Sequence, residues 1–314
     1  MSNPFYRVFI IIFLSGTLSQ LIFMNLDKGL LKFNCFTNEK LTEILVENDD
    51  YKLITLGSSR SLSHVNPMIL DSALGIKTYN AGIAGANIFE IKTVFYAYLK
   101  AHKNPPKYVI LNIDRRTLSN VSKYYNNNIY YPYLSNSVID SMMQNAGIKT
   151  YFYRYLPFTQ LFEYDDYMRN IGIQGHRNKT EIKSENIYYH GYMSLPKTKV
   201  FRMKPKDKLE FDGLVTKVGI DHLQDIINTC KKKDINLIFT FAPELHSRAG
   251  EYPTNKSFDT IDSLANVSKL KILRYDQYDS TFQSDDFADK RHMNGNAANR
   301  FSLLLALDLA KIIN

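Results

Sequence analysis

The sequence predicts a three-layer α/β/α protein built around a parallel sheet. Short apolar runs that stop at Gly, Ser, Pro or Asp alternate with segments of helical period. That alternation is the pattern of a sheet covered by helices on both faces. The 314 residues suffice for one large core or two modest ones. With 45% hydrophobic and 22% charged residues, most of the chain is expected to fold.

The first element is the uncharged run Val8 to Met24, preceded by Arg7 and followed by Asp27, Lys28 and Lys32. A bilayer span needs about twenty apolar residues, with a lower limit of about seventeen, which this run meets. Three readings fit it: an uncleaved signal anchor, a cleaved signal peptide and a core helix. Met24-Asn25-Leu26-Asp27 offers a poor small-x-small cleavage site. Ser15, Thr17, Ser19 and Gln20 make only a mild polar face. An anchor over residues 1–26 is the reading we adopt, with residues 27–314 as an α/β domain outside the cytoplasm. Positive charges flank both ends, so they set orientation weakly.

A polar connector follows, with a short helix from Glu39 to Glu47. Tyr51 to Leu56 is a buried strand that runs into Gly57-Ser58-Ser59. Asn66 and Pro67 start a helix to Leu74, as N-cap and first helical residue. Lys77 to Asn80 is a short strand leading into Ala81-Gly82-Ile83-Ala84-Gly85, then a helix from Ile88 to Ala101. Tyr108 to Asp114 is the clearest strand. After the middle of the chain the pattern resumes: a helix Val215 to Lys232, a strand Asn236 to Ala242 stopped by Pro243, a helix Ser257 to Ala265 and a strand Lys271 to Tyr275. The last helix, Asn296 to Ile313, carries an apolar face at Phe301, Leu304, Leu305, Leu309 and Ile312.

Residues 117–210 break the rhythm and hold much of the Tyr, including Tyr130-Tyr131, Tyr133, Tyr151, Tyr153, Tyr155 and Tyr164. The stretch is too long for a plain connection, so an inserted cap is expected. Its aromatics suit carbohydrate stacking or an amphipathic surface, and equally a small helical subdomain; the structural reading is preferred.

The net charge of +8 favours anionic partners in general. No stripe of Arg and Lys interleaved with aromatics stands out, and Lys231-Lys232-Lys233 falls where a helix end suits cations. Nucleic acid is therefore not the expected partner. Cys35 and Cys230 have neither metal spacing nor a C-x-x-C arrangement, and the sequence leaves a disulfide between them open. No P-loop, G-x-G-x-x-G or metal cluster is present, so no cofactor and no metal are expected.

In a parallel sheet, ligands bind beyond the carboxyl ends of the strands. Gly57-Ser58-Ser59, Gly82 to Gly85 and Asp114-Arg115-Arg116 all follow strands and should converge there. An activated serine needs a base within reach, a third group to orient that base, and backbone N–H donors for the developing oxyanion. Ser59 lies at a strand end with locally unpaired N–H groups around it. Asp289 and His292, three apart just before the last helix, supply a base and its partner. Each piece alone is commonly a turn or a cap; their order and location together point to a triad. His64, His190 and His222 lack ligand-like spacing and are read as structural or exposed. His246, beyond a strand end, is a weaker candidate for the pocket.

These blocks resemble the SGNH (GDSL) hydrolases. Leu56-Gly57-Ser58-Ser59-Arg60 is similar to their first block, Gly-Asp-Ser, with Ser59 at the nucleophile and Ser58 replacing the family Asp. Asn80 to Gly85 resembles the second block, which implies Gly85 as an oxyanion donor alongside the Ser59 N–H. Asp289-Lys290-Arg291-His292-Met293-Asn294 resembles the last, D-x-x-H-x-N, which implies catalytic Asp289 and His292. The third block, Gly-x-Asn-Asp, has no clean match; Asn112 and Arg116 are its candidates, with Asn112 placed in the oxyanion hole. Arg60, Asn87 and Arg116 are candidate substrate contacts. The resemblance implies a flavodoxin-like α/β/α fold. The LGSSR form with an N-terminal helix looks like the divergent branch that includes DltD-like and alginate O-acetylation proteins. What that implies is a serine esterase or O-acyltransferase acting on an acylated cell-surface polysaccharide or a small acyl ester. The alternative it implies is a catalytically weak glycan-binding or assembly subunit beside a membrane-bound acyltransferase.

Overall fold

The computed structural model describes residues 4–32, 36–45, 49–118, 123–156, 158–159, 163–177, 188–196, 215–245, 256–276, 281–289 and 291–313. The chain divides into two compact units: residues 48–125 with 184–314, and residues 1–47 with 126–183.

The larger unit is a five-stranded, all-parallel sheet: β1 (Leu53–Leu56), β2 (Thr78–Asn80), β3 (Tyr108–Ile113), β6 (Asn236–Phe241) and β7 (Lys271–Arg274), in the order β2-β1-β3-β6-β7. A short hairpin, β4 (Tyr188–Tyr189) with β5 (Tyr192–Met193), lies outside it. The order reverses between β1 and β3, which is where a crevice opens beyond the strand ends in such sheets. Register places Leu56 beside Leu111 and Asn112 beside Thr240.

β3 is buried at all six positions, because a parallel strand is covered on both faces. One face carries Leu53, Ile110 and Ile238 against Val65, Leu70 and the Gly295–Ile313 helix. Phe301, Leu305 and Leu309 of that helix are fully buried, and each such side chain contributes about 1.5–3 kcal/mol. On the opposite face, the Ile88–Ala101 and Lys217–Lys232 helices pack together, and Phe241 meets Phe258 of the Lys256–Ser268 helix. The expected strands and helices of this unit are present, with ends shifted by a few residues. One helix was not anticipated: Ser59–His64 starts directly after the Gly57-Ser58 turn, capped by Ser58.

The smaller unit is helical. Its first helix runs unbroken from Pro4 to Lys32, eight residues beyond the apolar run that ends at Met24, and is long and apolar enough to cross a membrane. Leu26 and Leu30 continue its buried face. Gly29 is tolerated because the Asp166–His176 helix comes so close that a Cβ would strike the Gly172 carbonyl oxygen at 1.8 Å. Among the described residues, the other elements are Phe36–Leu45, Ser137–Asn145, Thr150–Tyr155 and a 3-10 turn, Asn128–Tyr133. The expected insertion, 117–210, thus contains a segment that forms a unit with the N-terminal helices, while the 188–196 strap belongs to the sheet unit: the His190 carbonyl accepts from the Asn80 N–H at 2.9 Å.

Candidate active site

Strand β1 ends at Leu56, and Gly57 turns the chain with φ +152°. A Cβ at Gly57 would lie 2.8 Å from the Ser61 Cβ and 3.1 Å from Asn112, so no larger residue fits this turn. Ser58 is extended, and its hydroxyl donates to Asp114 Oδ2 at 2.6 Å. Ser59 then opens the short helix, where its N–H has no intrahelical acceptor.

At the other end of the chain, Phe287 and Met293 form an isolated antiparallel bridge that closes a tight loop. Inside it, Asp289 Oδ1 accepts from the backbone N–H groups of Arg291 (2.7 Å) and His292 (2.9 Å). The same carboxylate meets His292 Nδ1 at 2.8 and 3.0 Å. His292 Nε2 lies 2.8 Å from Ser59 Oγ. Two segments 233 positions apart therefore share one hydrogen-bonded chain, Ser59–His292–Asp289.

Burial alone would raise the Asp289 carboxyl. The bonds from His292 and from the Arg291 and His292 N–H groups outweigh it and hold the group at about 2. An ionised Asp289 is acceptor-only, so the proton between them sits on His292 Nδ1. Nε2 is then free to accept from the Ser59 hydroxyl.

The loop after β2 completes the rim. Asn80 donates its side-chain amide to the Ser61 and Val65 carbonyls (2.7 Å each) and accepts from the Gly82 N–H (3.0 Å). The Ile83 N–H donates to the Gly57 carbonyl at 3.0 Å, tying the second loop to the Gly57-Ser58-Ser59 turn. Gly85 has φ +74°, and the Tyr125 ring lies so close that an added Cβ would meet it at 2.4 Å. Among the described residues, neither the Ser59 N–H nor the Gly85 N–H has an acceptor.

Three expected contacts are placed elsewhere. Asn112 does not reach the oxyanion position: it is 2% exposed beneath Gly57, with both amide atoms buried and unpartnered. Arg60, expected at the substrate, is turned into the protein. It is buried, with Nη1 on Glu244 Oε1 (2.7 Å) and Nη2 on the Ala242 and Pro243 carbonyls (2.8 Å each). Asn87 is spent as a helix cap: its oxygen accepts from the Glu90 N–H (3.1 Å) and its amide donates to the Lys123 carbonyl (2.7 Å). Arg116 is exposed in the loop after β3, where its N–H donates to Asp114 Oδ1 at 2.8 Å.

Several supporting residues were not singled out from sequence. Glu244 joins Arg60 to Arg115, whose Nε donates to it at 2.8 Å. Burial opposes its ionisation, but the two guanidiniums hold its carboxyl below the usual range. His64 is fully buried, and its Nε2 accepts from the Met293 N–H at 3.0 Å, which steadies the loop that carries His292. Burial, together with the neighbouring Arg60 and His292, pushes the His64 imidazole well below its ordinary value, so it stays neutral. The Pro243-Glu244 strand end was the available signal for Glu244; nothing local marks His64. His222 contacts Lys92 (3.0 Å), and His190 sits in the β4–β5 turn. His246 and Cys35 lie outside the described residues. No group of metal-ligating side chains occurs among the described residues.

No protein-family model and no curated protein sequence matches the chain. Among solved structures it is similar to a proposed acylhydrolase from Bacteroides fragilis NCTC 9343, at 12% identity and TM-score 0.40, over 88% of this chain and 95% of that one. It is also similar to a GDSL-like lipase from Bacteroides thetaiotaomicron VPI-5482, at 11% identity and TM-score 0.41, over 89% and 100%. At that distance neither an activity nor a residue role passes from either protein to this chain.

Proposed function

We propose that this chain is a serine-dependent enzyme of ester bonds, with Ser59 as nucleophile, His292 as general acid and base, and Asp289 as its orienting carboxylate. The observation that carries the reading is the pair of 2.8 Å contacts on the two nitrogens of one imidazole. In the first half-reaction Ser59 Oγ attacks the acyl carbonyl carbon while its proton passes to His292 Nε2. The carbonyl oxygen becomes an oxyanion, which the N–H groups of Ser59 and Gly85 receive. The C–O bond to the alcohol then breaks, and the departing oxygen takes the proton from Nε2. The acyl group stays on Ser59 as an ester. In the second half, water or an acceptor hydroxyl loses its proton to Nε2 and attacks the ester carbonyl; the C–O bond to Ser59 then breaks, and Ser59 Oγ takes the proton back from Nε2.

Water gives an esterase, and a sugar hydroxyl gives an O-acyltransferase. We assign an acylated cell-surface glycan as substrate, with the sheet unit outside the cytoplasm behind an uncleaved N-terminal anchor. A membrane-bound acyltransferase is its partner. The support is the LGSSR-type resemblance together with the long apolar first helix. Full-length protein in detergent should be labelled by a serine-directed fluorophosphonate and should hydrolyse a nitrophenyl acetate. Ser59→Ala should abolish both; labelling that survives it removes Ser59 as nucleophile.

The burial of Asn112 favours a second reading. With its side chain withdrawn, the hole has two backbone donors and no amide from this position, and losing one donor costs about a hundredfold or more in rate. A glycan-binding subunit of low turnover would bind polysaccharide equally well with Ser59→Ala and show no ester cleavage in the unaltered chain.

A further inference from the structure

The first helix does not end its apolar exposure alone. In the same compact unit, the segment around the Thr150–Tyr155 helix turns five large apolar side chains outward: Tyr151, Phe152, Tyr155, Leu156 and Phe158, between 37% and 78% exposed. Exposed apolar residues are ordinary singly, but five within eight positions form a patch. Gln20 fixes where it sits, because its side-chain amide donates to the Arg154 carbonyl at 2.9 Å.

We propose that this segment is a second membrane contact, dipping into the bilayer interface beside the first helix. The proposal rests on reading Pro4–Lys32 as a bilayer span. Val8 to Met24 is an uncharged helical stretch of seventeen residues, about 25 Å at 1.5 Å per residue, at the short end of what crosses the hydrocarbon core. Gln20 then lies about 6 Å inside the far edge of that core. Asp27 lies about 4–5 Å beyond the same edge. The chemistry at each depth agrees. Beyond the edge, Asp27 accepts from Tyr164 (2.5 Å) and Tyr153 (2.9 Å). At the edge, the outward side chains are Tyr, Phe and Leu, the residues that populate membrane interfaces.

The backbone supplies an independent argument. A segment that meets hydrocarbon cannot leave carbonyls to water, so each needs an internal donor. At the exposed end of this short helix, the Thr159 hydroxyl is shared between the Phe152 and Leu156 carbonyls (2.9 and 2.8 Å), and Gln20 covers that of Arg154. The Arg154 guanidinium is turned inward to the Leu134 carbonyl and Asp140. Lys149 stands over the Phe152 ring at 5.5 Å, at the boundary where a cation can face headgroups. The occupant of the patch is therefore lipid, and not a second copy or a partner protein.

The chain has no Trp, so one introduced indole reports its own surroundings. Tyr155→Trp and Leu18→Trp are each placed in full-length protein in nanodiscs of phosphatidylcholine, with and without bromine near the top of the acyl chains. Emission from both is expected to fall several-fold in the brominated lipid, with weak quenching by aqueous iodide. Leu18→Trp quenched by bromine and Tyr155→Trp quenched only by iodide would put the patch in water and overturn the proposal, while leaving the anchor in place. Tyr155→Trp shielded from both quenchers would put protein over the patch and overturn the proposal equally. Leu18→Trp untouched by bromine would sink the span and this inference together. Should Tyr155→Trp not fold, Leu156→Trp carries the same test.

Discussion

In the sheet unit, Arg60 and Arg115 close on Glu244, three charges withdrawn from water next to Ser59, the proposed nucleophile. In the helical unit, Tyr153 and Tyr164 close on Asp27, one carboxylate among neutral hydroxyls and stacked rings, with Tyr131 and Tyr153 4.3 Å apart. Both clusters tie together parts of the chain more than a hundred residues apart. They differ in what remains if the acid is lost. Without Glu244, two guanidiniums are left facing each other in a buried space. Without Asp27, the two tyrosine hydroxyls still bond each other at 2.8 Å. An ion cluster fixes geometry sharply and fails sharply, which suits the place where Ser59 must be aimed. A hydroxyl cluster holds by packing and fails gradually, which suits a structural joint.

The largest effect separates chemistry from stability in the sheet unit. His292→Ala and Asp289→Asn should each lower kcat/KM for a nitrophenyl ester by about 10⁴-fold, since triad members act as one device. The melting temperature should fall only modestly, because the side chain in Asp289→Asn keeps an oxygen for the Arg291 and His292 N–H groups and His292 sits at the rim. Asp289 remains ionised down to about pH 2. Loss of activity in the mildly acidic range is therefore expected from a group other than this depressed carboxyl. A profile whose acid limb vanishes in Asp289→Asn would contradict the assignment.

Next in size is the ion cluster itself. Glu244→Leu should destabilise the sheet unit by about 3–5 kcal/mol, the usual result of stripping a partner from a buried charge. Its sign with pH follows from the depressed carboxyl. The contribution is complete above the unfolded value, about 4.3, and fades as pH falls through the lower folded value. Denaturant melts of the parent and of Glu244→Leu should therefore converge on acidification. By contrast, Asp27→Leu should cost about 1–3 kcal/mol, the desolvation of groups left partly unsatisfied. Hydrogen exchange across residues 150–176 should quicken in steps and not collapse. Equal losses in the two variants would erase the distinction between the clusters.

How much of this was readable in advance depends on how local the cause is. The strand YVILNI and the cap at Asn66 are set by neighbours in sequence, and the structure has them where the sequence puts them; Asn87, expected at the substrate, caps the next helix instead. Ser59 and the Asp289–His292 turn were singled out because strand ends and D-x-x-H turns are local patterns too. Sequence places Arg60 at the substrate and the structure does not, because its direction is set by Glu244, 184 positions away. Asn112 was misjudged because a strand buried on both faces gives no parity signal for which side chain meets the crevice. Likewise, the continuation of the first helix beyond Met24 depends on Gly172 and Tyr164, distant residues that no window around Asp27 contains.

His64 offers a smaller test of the same contrast between charged and neutral support. It is held neutral by burial, so its folded value lies well below the ordinary histidine range. The unfolded state then binds the extra proton first. Stability is complete above about pH 6.5 and declines as pH falls, by at most about 1.4 kcal/mol per pH unit. His64→Asn should flatten that slope between about pH 5 and 6.5. A slope that persists in the variant would place the titrating group elsewhere.

The smallest effect is expected beside the largest. Ser58 adjoins the proposed nucleophile, and its hydroxyl donates to Asp114 while accepting from the Arg60 N–H at a long 3.5 Å. Ser58→Ala removes a weak cap and one bond to a carboxylate. Asp114 is only half-buried and keeps its contact with the Arg116 N–H, so water can take the vacated position. The loss should be about 1 kcal/mol, the usual cost of a cap. Fluorophosphonate labelling should continue at a rate within a few-fold of the parent, because Ser59, His292 and the two backbone donors are untouched. If Ser58→Ala abolished labelling while the fold stayed intact, the reacting hydroxyl would be that of Ser58, and the 2.8 Å contact between Ser59 and His292 would have to be read as structural.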